Sequence, residues 1–184
     1  MNTGFILALN QTGPDSLSQM PKNLKVKLFV WAHVVLLPLD QITKYWARQV
    51  LQGEAPQHYL GGLFRLQYAE NTGAFLSLGA GLSEPLRKWI FVIFVGLFLV
   101  GASVYVFRSA MSSISSWGFC LIIAGGFGNL IDRGLFGRVS DFMLMVAGPL
   151  RTGIFNIADM AILFGIILVA LEGPIEKQLA KKNG

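Results

Sequence analysis

The chain has 184 residues, of which 53% are hydrophobic and only 14% are charged, and its mean hydropathy is +0.56. This composition excludes an ordinary soluble domain and is typical of a polytopic membrane protein with one domain. The formal net charge of +5 does not predict nucleic-acid binding, because Lys and Arg flank apolar segments and form no basic stripe interleaved with aromatic residues.

In chain order, residues 1–23 are rich in Gly, Pro, Ser, Asn and Gln and predict a mobile N-terminal tail. A signal peptide would begin with basic residues and have a longer apolar core. A single membrane domain is predicted over 24–172, followed by a basic C-terminal tail over 173–184. A hydrocarbon core of about 30 Å needs roughly 20 apolar residues per helix. The predicted spans are 24–46, 86–107, 114–132 and 154–171.

The connection over 47–85 predicts a small β-rich cradle, because the run from Leu63 to Tyr68 alternates in the manner of a short strand. The expected fold class is therefore a mainly α membrane protein, with four transmembrane helices and an extracytoplasmic β-rich cradle between helices 1 and 2. Glycines in the third span predict close helix packing rather than a nucleotide loop, because no strand and no Lys-Ser/Thr pair accompanies them. They are Gly118, Gly125, Gly126 and Gly128.

An even number of spans puts both termini on one side of the membrane, and two lysine clusters predict that this side is the cytoplasm. In this orientation the two sides of the membrane have equal numbers of basic residues. The prediction therefore depends on the two lysine clusters and not on the total number of basic residues. The clusters are Lys22, Lys25 and Lys27 at one end and Lys177, Lys181 and Lys182 at the other.

Polar clusters interrupt the apolar sequence, and in a four-span topology all of them fall at the outer ends of spans or in the outer segments. Such convergence from distant sequence positions predicts one site. The clusters are Asp40 to Lys44, Asn71 to Ala74, Asn129 to Arg133, Ser140 to Phe142, and Asn156 to Asp159.

Asp132 and Asp159 are the predicted catalytic pair. The short connection between their spans places both carboxylates on one side of the membrane, and a carboxylate near a bilayer is costly unless it has a function or a partner. Two carboxylates that share one proton can activate water for attack on a carbonyl. The alternative is a purely structural role, in which ion pairs with Arg133, Arg138 or Lys44 close the bundle.

The other polar residues receive supporting or structural predictions. Asp40 and Lys44 are four residues apart, and a helix-stabilising ion pair is favoured over a catalytic role. Asp141 is expected to brace Arg133 or Arg138. Asn71 either forms a turn or provides an amide donor that orients a substrate carbonyl, and the sequence leaves both open.

No metal site and no cofactor are predicted. His33 and His58 are far apart and lack the spacing of metal ligands. Cys120 is the single cysteine, so an intrachain disulfide is excluded, and its apolar surroundings favour a small core side chain.

These clusters, in this order, resemble the lipoprotein signal peptidases, also called signal peptidase II, the aspartic proteases of bacterial inner membranes that process prolipoproteins. The resemblance runs from about Asp40 to Leu171. The matching blocks are Asp-Gln-x-Thr-Lys at Asp40 to Lys44, Asn-x-Gly-Ala at Asn71 to Ala74, Gly-Asn-x-x-Asp-Arg at Gly128 to Arg133, Val-x-Asp-Phe at Val139 to Phe142, and Phe-Asn-x-Ala-Asp at Phe155 to Asp159.

The resemblance implies that Asp132 and Asp159 form the catalytic dyad. It also implies hydrolysis of the bond just before a diacylglyceryl-modified cysteine, with prolipoproteins and membrane lipids as partners, and we expect a monomer. Phe75 and Ser140 depart from the family pattern, in which the first position tends to be small and the second is commonly aliphatic. The residues expected to line and brace the site are Asn71, Gly73, Asn129, Arg133, Asp141, Asn156 and Ala158.

Two other classes of protein remain as alternatives. A small transporter or proton-conducting protein also keeps acidic residues within its spans, but it would distribute polar residues through the membrane depth. A non-catalytic membrane assembly protein would keep its function if only the two aspartates were replaced.

Overall fold

The computed structural model describes residues 19–72 and 83–183 of the chain. Its helices are α1 (Lys22–Val50), α2 (Glu84–Arg108), α3 (Ser113–Phe136) and α4 (Ile157–Asn183). All four contain an apolar segment long enough to cross a membrane, which confirms the predicted fold class. Most of the predicted N-terminal tail lies outside the described residues.

Helix α4 is longer than the sequence predicts. The sequence predicts a tail from residue 173, whereas α4 continues past Pro174 to Asn183. The residues after Pro174 are mostly strong helix formers, namely Glu, Lys, Gln, Leu and Ala, and their propensity extends the helix beyond the apolar segment.

Helices α3 and α4 pack in close contact through glycines, as the sequence predicts. A Cβ atom added at Gly165 would lie 2.5 Å from the carbonyl oxygen of Gly118, and one at Gly125 would lie 2.5 Å from that of Ala158. Real Cβ atoms do not approach oxygen so closely, so only glycine allows the two backbones to meet here. The contact between Gly125 and Ala158 places the start of α4 against the middle of α3.

The extramembrane part is a four-stranded antiparallel sheet in the order β1-β2-β3-β4. Two strands come from the predicted connection, but β3 and β4 come from the connection between α3 and α4, for which the sequence analysis predicts no strand. The first six residues of β3 are all buried, so this strand lacks the polar alternation that reveals an exposed one. The strands are β1 (Gln57–Tyr59), β2 (Phe64–Asn71), β3 (Val139–Ala147) and β4 (Leu150–Arg151).

The sheet is attached to the helices by an apolar cluster at the end of α1. Ala47, Leu51, Phe142 and Met143 are buried together, with Phe155 and Ile157 packed against them. In the β2–β3 register, Asp141 pairs with Ala69. The sheet thereby places Asp141 beside the first turn of α4.

Candidate active site

The polar clusters converge where α1 and α3 end, β3 begins and α4 begins. Helix α1 contributes Asp40 and Lys44, α3 contributes Asn129, Asp132 and Arg133, β2 ends at Asn71, and β3 contributes Asp141. Asn156 and Asp159 lie immediately before and within the first turn of α4. The predicted Gly73 lies outside the described residues.

Asp159 is held by a reciprocal pair of hydrogen bonds at the start of α4. The backbone N–H of Asp159 donates to Asn156 Oδ1 at 2.9 Å, and the backbone N–H of Asn156 donates to Asp159 Oδ2 at 3.2 Å. This is the capping-box arrangement, which satisfies donors that a helix N-terminus leaves unpaired. Asn129 Nδ2 donates to the other oxygen, Oδ1, at 2.8 Å.

Asp159 therefore lies at the very start of the helix. Counted from Ile154, where the predicted fourth span begins, Asp159 would lie roughly 7 to 8 Å into that span at 1.5 Å per residue. Because α4 begins at Ile157, Asp159 is only about 3 Å along the helix axis. The residue is partly exposed.

Asp141 is buried beside Asp159 and is held by two amides. Asn156 Nδ2 donates to Asp141 Oδ1 at 2.6 Å, and Asn71 Nδ2 donates to Oδ2 at 3.2 Å. Burial is the main cause that raises the pKa of Asp141 to about 6, and the negative charge of Asp159 adds to it. The two amides and Lys44 act in the opposite direction.

Asp132 has different surroundings. Its side chain is fully buried, and Oδ2 accepts the backbone N–H of Ser140 at 3.0 Å. The same oxygen lies 3.6 Å from Arg48 Nη1 and 3.9 Å from Lys44 Nζ. Within the described part of the chain, Asp132 Oδ1 has no hydrogen-bond partner. Asp132 is thus a buried anion between two cations.

The Asp40–Lys44 ion pair is present, and it is buried. Lys44 Nζ lies 2.8 Å from Asp40 Oδ2 and donates to Asn129 Oδ1 at 2.9 Å. Asp40 Oδ1 accepts the backbone N–H of Ala158 at 2.9 Å, so a side chain of α1 caps α4. A Cβ atom at Gly128 would lie 2.7 Å from Asp40 Oδ2, so glycine is needed where α3 passes the pair.

Two cationic side chains complete the site, and sequence reasoning missed one of them. Arg133 is partly buried and interacts electrostatically with Asp132, Asp141 and Asp159. Arg48, the missed residue, donates to Ser140 Oγ at 2.9 Å. Arg48 lies four residues after Lys44, so the two side chains share one helix face, and this spacing could have predicted Arg48 as part of the site.

The described residues contain no group of three or more His, Cys, Asp or Glu side chains arranged to hold a metal ion. The fold and the site together define a polytopic membrane protein in which carboxylates and amides gather at one end of a four-helix bundle. Residues 32–173 match the family described as signal peptidase (SPase) II. The chain belongs to this family and is a peptidase.

Individual relatives align with the sequence of this chain over most of their length. The lipoprotein signal peptidase of Nostoc punctiforme is 36% identical over 150 residues, which cover 80% of this chain and 90% of the relative. That of Psychromonas ingrahamii is 33% identical over 153 residues, covering 82% and 86%. That of Yersinia pseudotuberculosis is 36% identical over 162 residues, covering 84% and 93%.

Solved structures show the same fold. A bacterial membrane enzyme determined by the in meso method at 2.3 Å resolution superposes with a TM-score of 0.68 at 23% identity, covering 91% of this chain and 96% of that chain. A second, at 1.9 Å resolution, has a TM-score of 0.68 at 24% identity, covering 84% and 95%.

Proposed function

We propose that this protein cleaves signal peptides from diacylglyceryl-modified prolipoproteins, at the peptide bond just before the lipidated cysteine, by means of water activated between two aspartates. The family and the names of the relatives support the substrate class. The proposed site faces the outer side of a bacterial inner membrane, with both termini in the cytoplasm.

The geometry favours Asp141 as the partner of Asp159. The main observation in favour of this pairing is that Asn156 bridges the two carboxylates, because it donates to Asp141 from its side chain and to Asp159 from its backbone. The two carboxylates also interact electrostatically, and the raised pKa of Asp141 is one sign of that coupling.

Asp132, the partner that the sequence predicts, is better suited to a supporting role. A catalytic carboxylate must exchange protons with substrate and water, whereas Oδ2 of Asp132 already faces Lys44, Arg48 and the backbone N–H of Ser140. We assign it the role of a fixed anion that holds these two cations and the first residues of β3.

In the proposed reaction, Asp159 is the base and Asp141 carries the proton. Asp159 is partly exposed and accepts hydrogen bonds from Asn129 and Asn156, which orient its carboxyl group. It removes a proton from water, which attacks the scissile carbonyl carbon. Protonated Asp141 donates a hydrogen bond to the carbonyl oxygen.

Collapse of the tetrahedral intermediate breaks the carbon–nitrogen bond. A proton then passes from the dyad to the leaving nitrogen, and the products are a carboxyl-terminated signal peptide and an amine on the lipidated cysteine. The placement of Asp159 in the first turn of α4 suits this reaction, because the lipid chains remain in the bilayer while the scissile bond reaches water.

The distribution of polar residues does not favour a transporter. Among the described residues, buried polar side chains form two separate groups at opposite ends of the bundle. Buried apolar residues such as Cys120, Ile123 and Ala124 lie between them on α3. One group is Lys25, Ser115 and Ser116, and the other is Asp40, Lys44, Asn129, Asp132, Ser140, Asp141 and Asn156.

The test is cleavage of a diacylglyceryl-modified precursor by purified protein, with Asp132→Asn, Asp141→Asn and Asp159→Asn compared at matched folded fractions. Asp141→Asn and Asp159→Asn are expected to lower kcat by about 100- to 10,000-fold. Asp132→Asn is expected to lower the free energy of unfolding and to have a smaller effect on kcat than the other two substitutions. Loss of turnover in folded Asp132→Asn, with Asp141→Asn still active, would restore the pairing that the sequence predicts.

A further inference from the structure

We infer that Arg48 is a positioning residue for Asp141 and that it acts through Ser140. This inference rests on the proposed function, because it assigns Arg48 a part in placing the proposed dyad. It is independent of which carboxylate in that dyad acts first as the base.

Arg48 belongs to a closed triangle of contacts, which we call the Arg48 triangle and which consists of Arg48, Asp132 and Ser140. Arg48 Nη1 donates to Ser140 Oγ at 2.9 Å and lies 3.6 Å from Asp132 Oδ2. The backbone N–H of Ser140 donates to that same oxygen of Asp132 at 3.0 Å. The triangle therefore joins α1, α3 and β3.

The guanidinium group of Arg48 is held in place from a second side. Its central carbon lies 4.4 Å from the centroid of the Phe136 ring, close enough for a cation–π contact. The side chain is only 18% exposed. A partly buried guanidinium with two polar partners and an aromatic contact has few alternative positions, which distinguishes it from an exposed surface arginine.

The triangle fixes the strand position next to Asp141. Successive side chains of a strand point to opposite faces, so anchoring Ser140 on one face directs Asp141 to the other, toward Asn156 and Asn71. The strand has only just begun here, since β3 starts at Val139 after the left-handed Gly137 that ends α3. The Arg48 triangle thus defines where the strand starts relative to the helices.

Ser140 contacts both other members of the Arg48 triangle. Its hydroxyl accepts a hydrogen bond from Arg48 while its backbone N–H binds Asp132.

The first measurement is kcat and KM of Arg48→Met on a diacylglyceryl-modified precursor. Methionine keeps much of the packing against Phe136 and removes both polar contacts. We expect kcat to fall by about 10- to 100-fold, since a misplacement of about 1 Å can cost that much. KM should stay nearly unchanged because no substrate contact is lost. Arg48→Lys should recover only part of kcat, because one ammonium group cannot reproduce the forked geometry of arginine.

The matched control is Arg65→Met, which removes a partly buried arginine on β2 whose Nε donates to the Gly62 carbonyl at 3.4 Å. It should retain the wild-type kcat. In the double variant Arg48→Met with Ser140→Ala, kcat should be no lower than in Arg48→Met alone, because both changes break the same contact.

The inference is overturned if folded Arg48→Met has the kcat of Arg65→Met, or if the double variant shows the full product of the two single losses. Either result leaves the proposed function intact, because the wild type still cleaves the precursor. A folded wild type that cleaves no lipidated precursor would overturn both proposals.

Discussion

Asn156 is the side chain on which the two proposed catalytic carboxylates depend. Its oxygen caps α4 by accepting the N–H of Asp159, and its amide group donates to Asp141, while the backbone N–H of the same residue donates to Asp159. Asn129 extends this network, because its amide oxygen accepts from Lys44 and from Asn156. Amides set the distance between the two acids in this site, so the protonation of one acid is coupled to the other.

The pKa of Asp141 provides a prediction at the scale of one residue. Asn71 donates to ionised Asp141 and lowers its pKa, so Asn71→Ala should raise that pKa further above its present value of about 6. In the proposed mechanism the singly protonated dyad is the active form, so kcat/KM should fall as the pH rises through the upper pKa of the dyad. Asn71→Ala should therefore move the alkaline limb of the kcat/KM profile to higher pH.

The neighbouring Thr72→Ala is the control for this profile and should leave both limbs in place. An alkaline limb of Asn71→Ala that coincides with that of the wild type would contradict the assignment of Asp141 as the proton carrier.

The raised pKa of Asp141 also makes the free energy of unfolding depend on pH. The native protein binds more protons than the unfolded chain between the ordinary value of 3.8 and about 6. The contribution of Asp141 to the free energy of unfolding therefore falls as the pH rises through this window.

At the scale of elements, the contact between α3 and α4 determines whether the site forms at all. Asp132 and Asn129 lie on one helix and Asp159 on the other, and glycines allow the two backbones to touch. A small separation of these helices would break the hydrogen bond from Asn129 to Asp159.

Gly165→Ala tests this contact. Its Cβ would lie 2.5 Å from the carbonyl oxygen of Gly118, and backbone cannot yield as a flexible side chain can. We expect a loss of about 1–3 kcal/mol in the free energy of unfolding, measured by denaturant titration in detergent. Gly101→Ala is the matched control, since its Cβ would have no neighbour within 4 Å, and it should be neutral or slightly stabilising. Equal stability of the two variants would mean that the helices do not need this close contact.

Sequence reasoning succeeds here where the signal is local and fails where it depends on contacts between distant segments. The four spans follow from apolar length, and the glycine contact follows from small residues at helical spacing. Strand β3 is missed because its first half is buried on both faces. The pairing of Asp132 with Asp159 stays a prediction, and only the fold shows that Arg48 and Lys44 lie beside Asp132.

At the scale of the whole molecule, the sheet and the candidate site lie at one end of the bundle and the lysine clusters lie toward the other. Lys25 is buried at that other end, where it donates to the carbonyl oxygens of Val106 and Ser109 at 3.4 and 2.6 Å. Its charge thus stabilises the C-terminus of α2. Positive residues at this end favour a cytoplasmic location.

Cysteine labelling tests the orientation. Cys120 is buried and is the single cysteine, so a Cys120→Ala background permits one new cysteine at a time. Glu54→Cys, exposed between α1 and β1, should react with a membrane-impermeant maleimide on intact spheroplasts. Ala110→Cys, exposed between α2 and α3, should react only after lysis. The reverse pattern would place the site in the cytoplasm, and the background protein without new cysteines gives the unlabelled baseline.

The hydrogen bond from Ala158 to Asp40 joins residues 118 positions apart in the chain. A ribosome makes α1 before α4, so the carboxylate of Asp40 lacks this hydrogen-bond donor until the start of α4 has been made. Asp159 also arrives with α4, and no shorter nascent chain contains both members of the proposed dyad. The order of synthesis therefore brings the two proposed catalytic carboxylates together only after the start of α4 has been made.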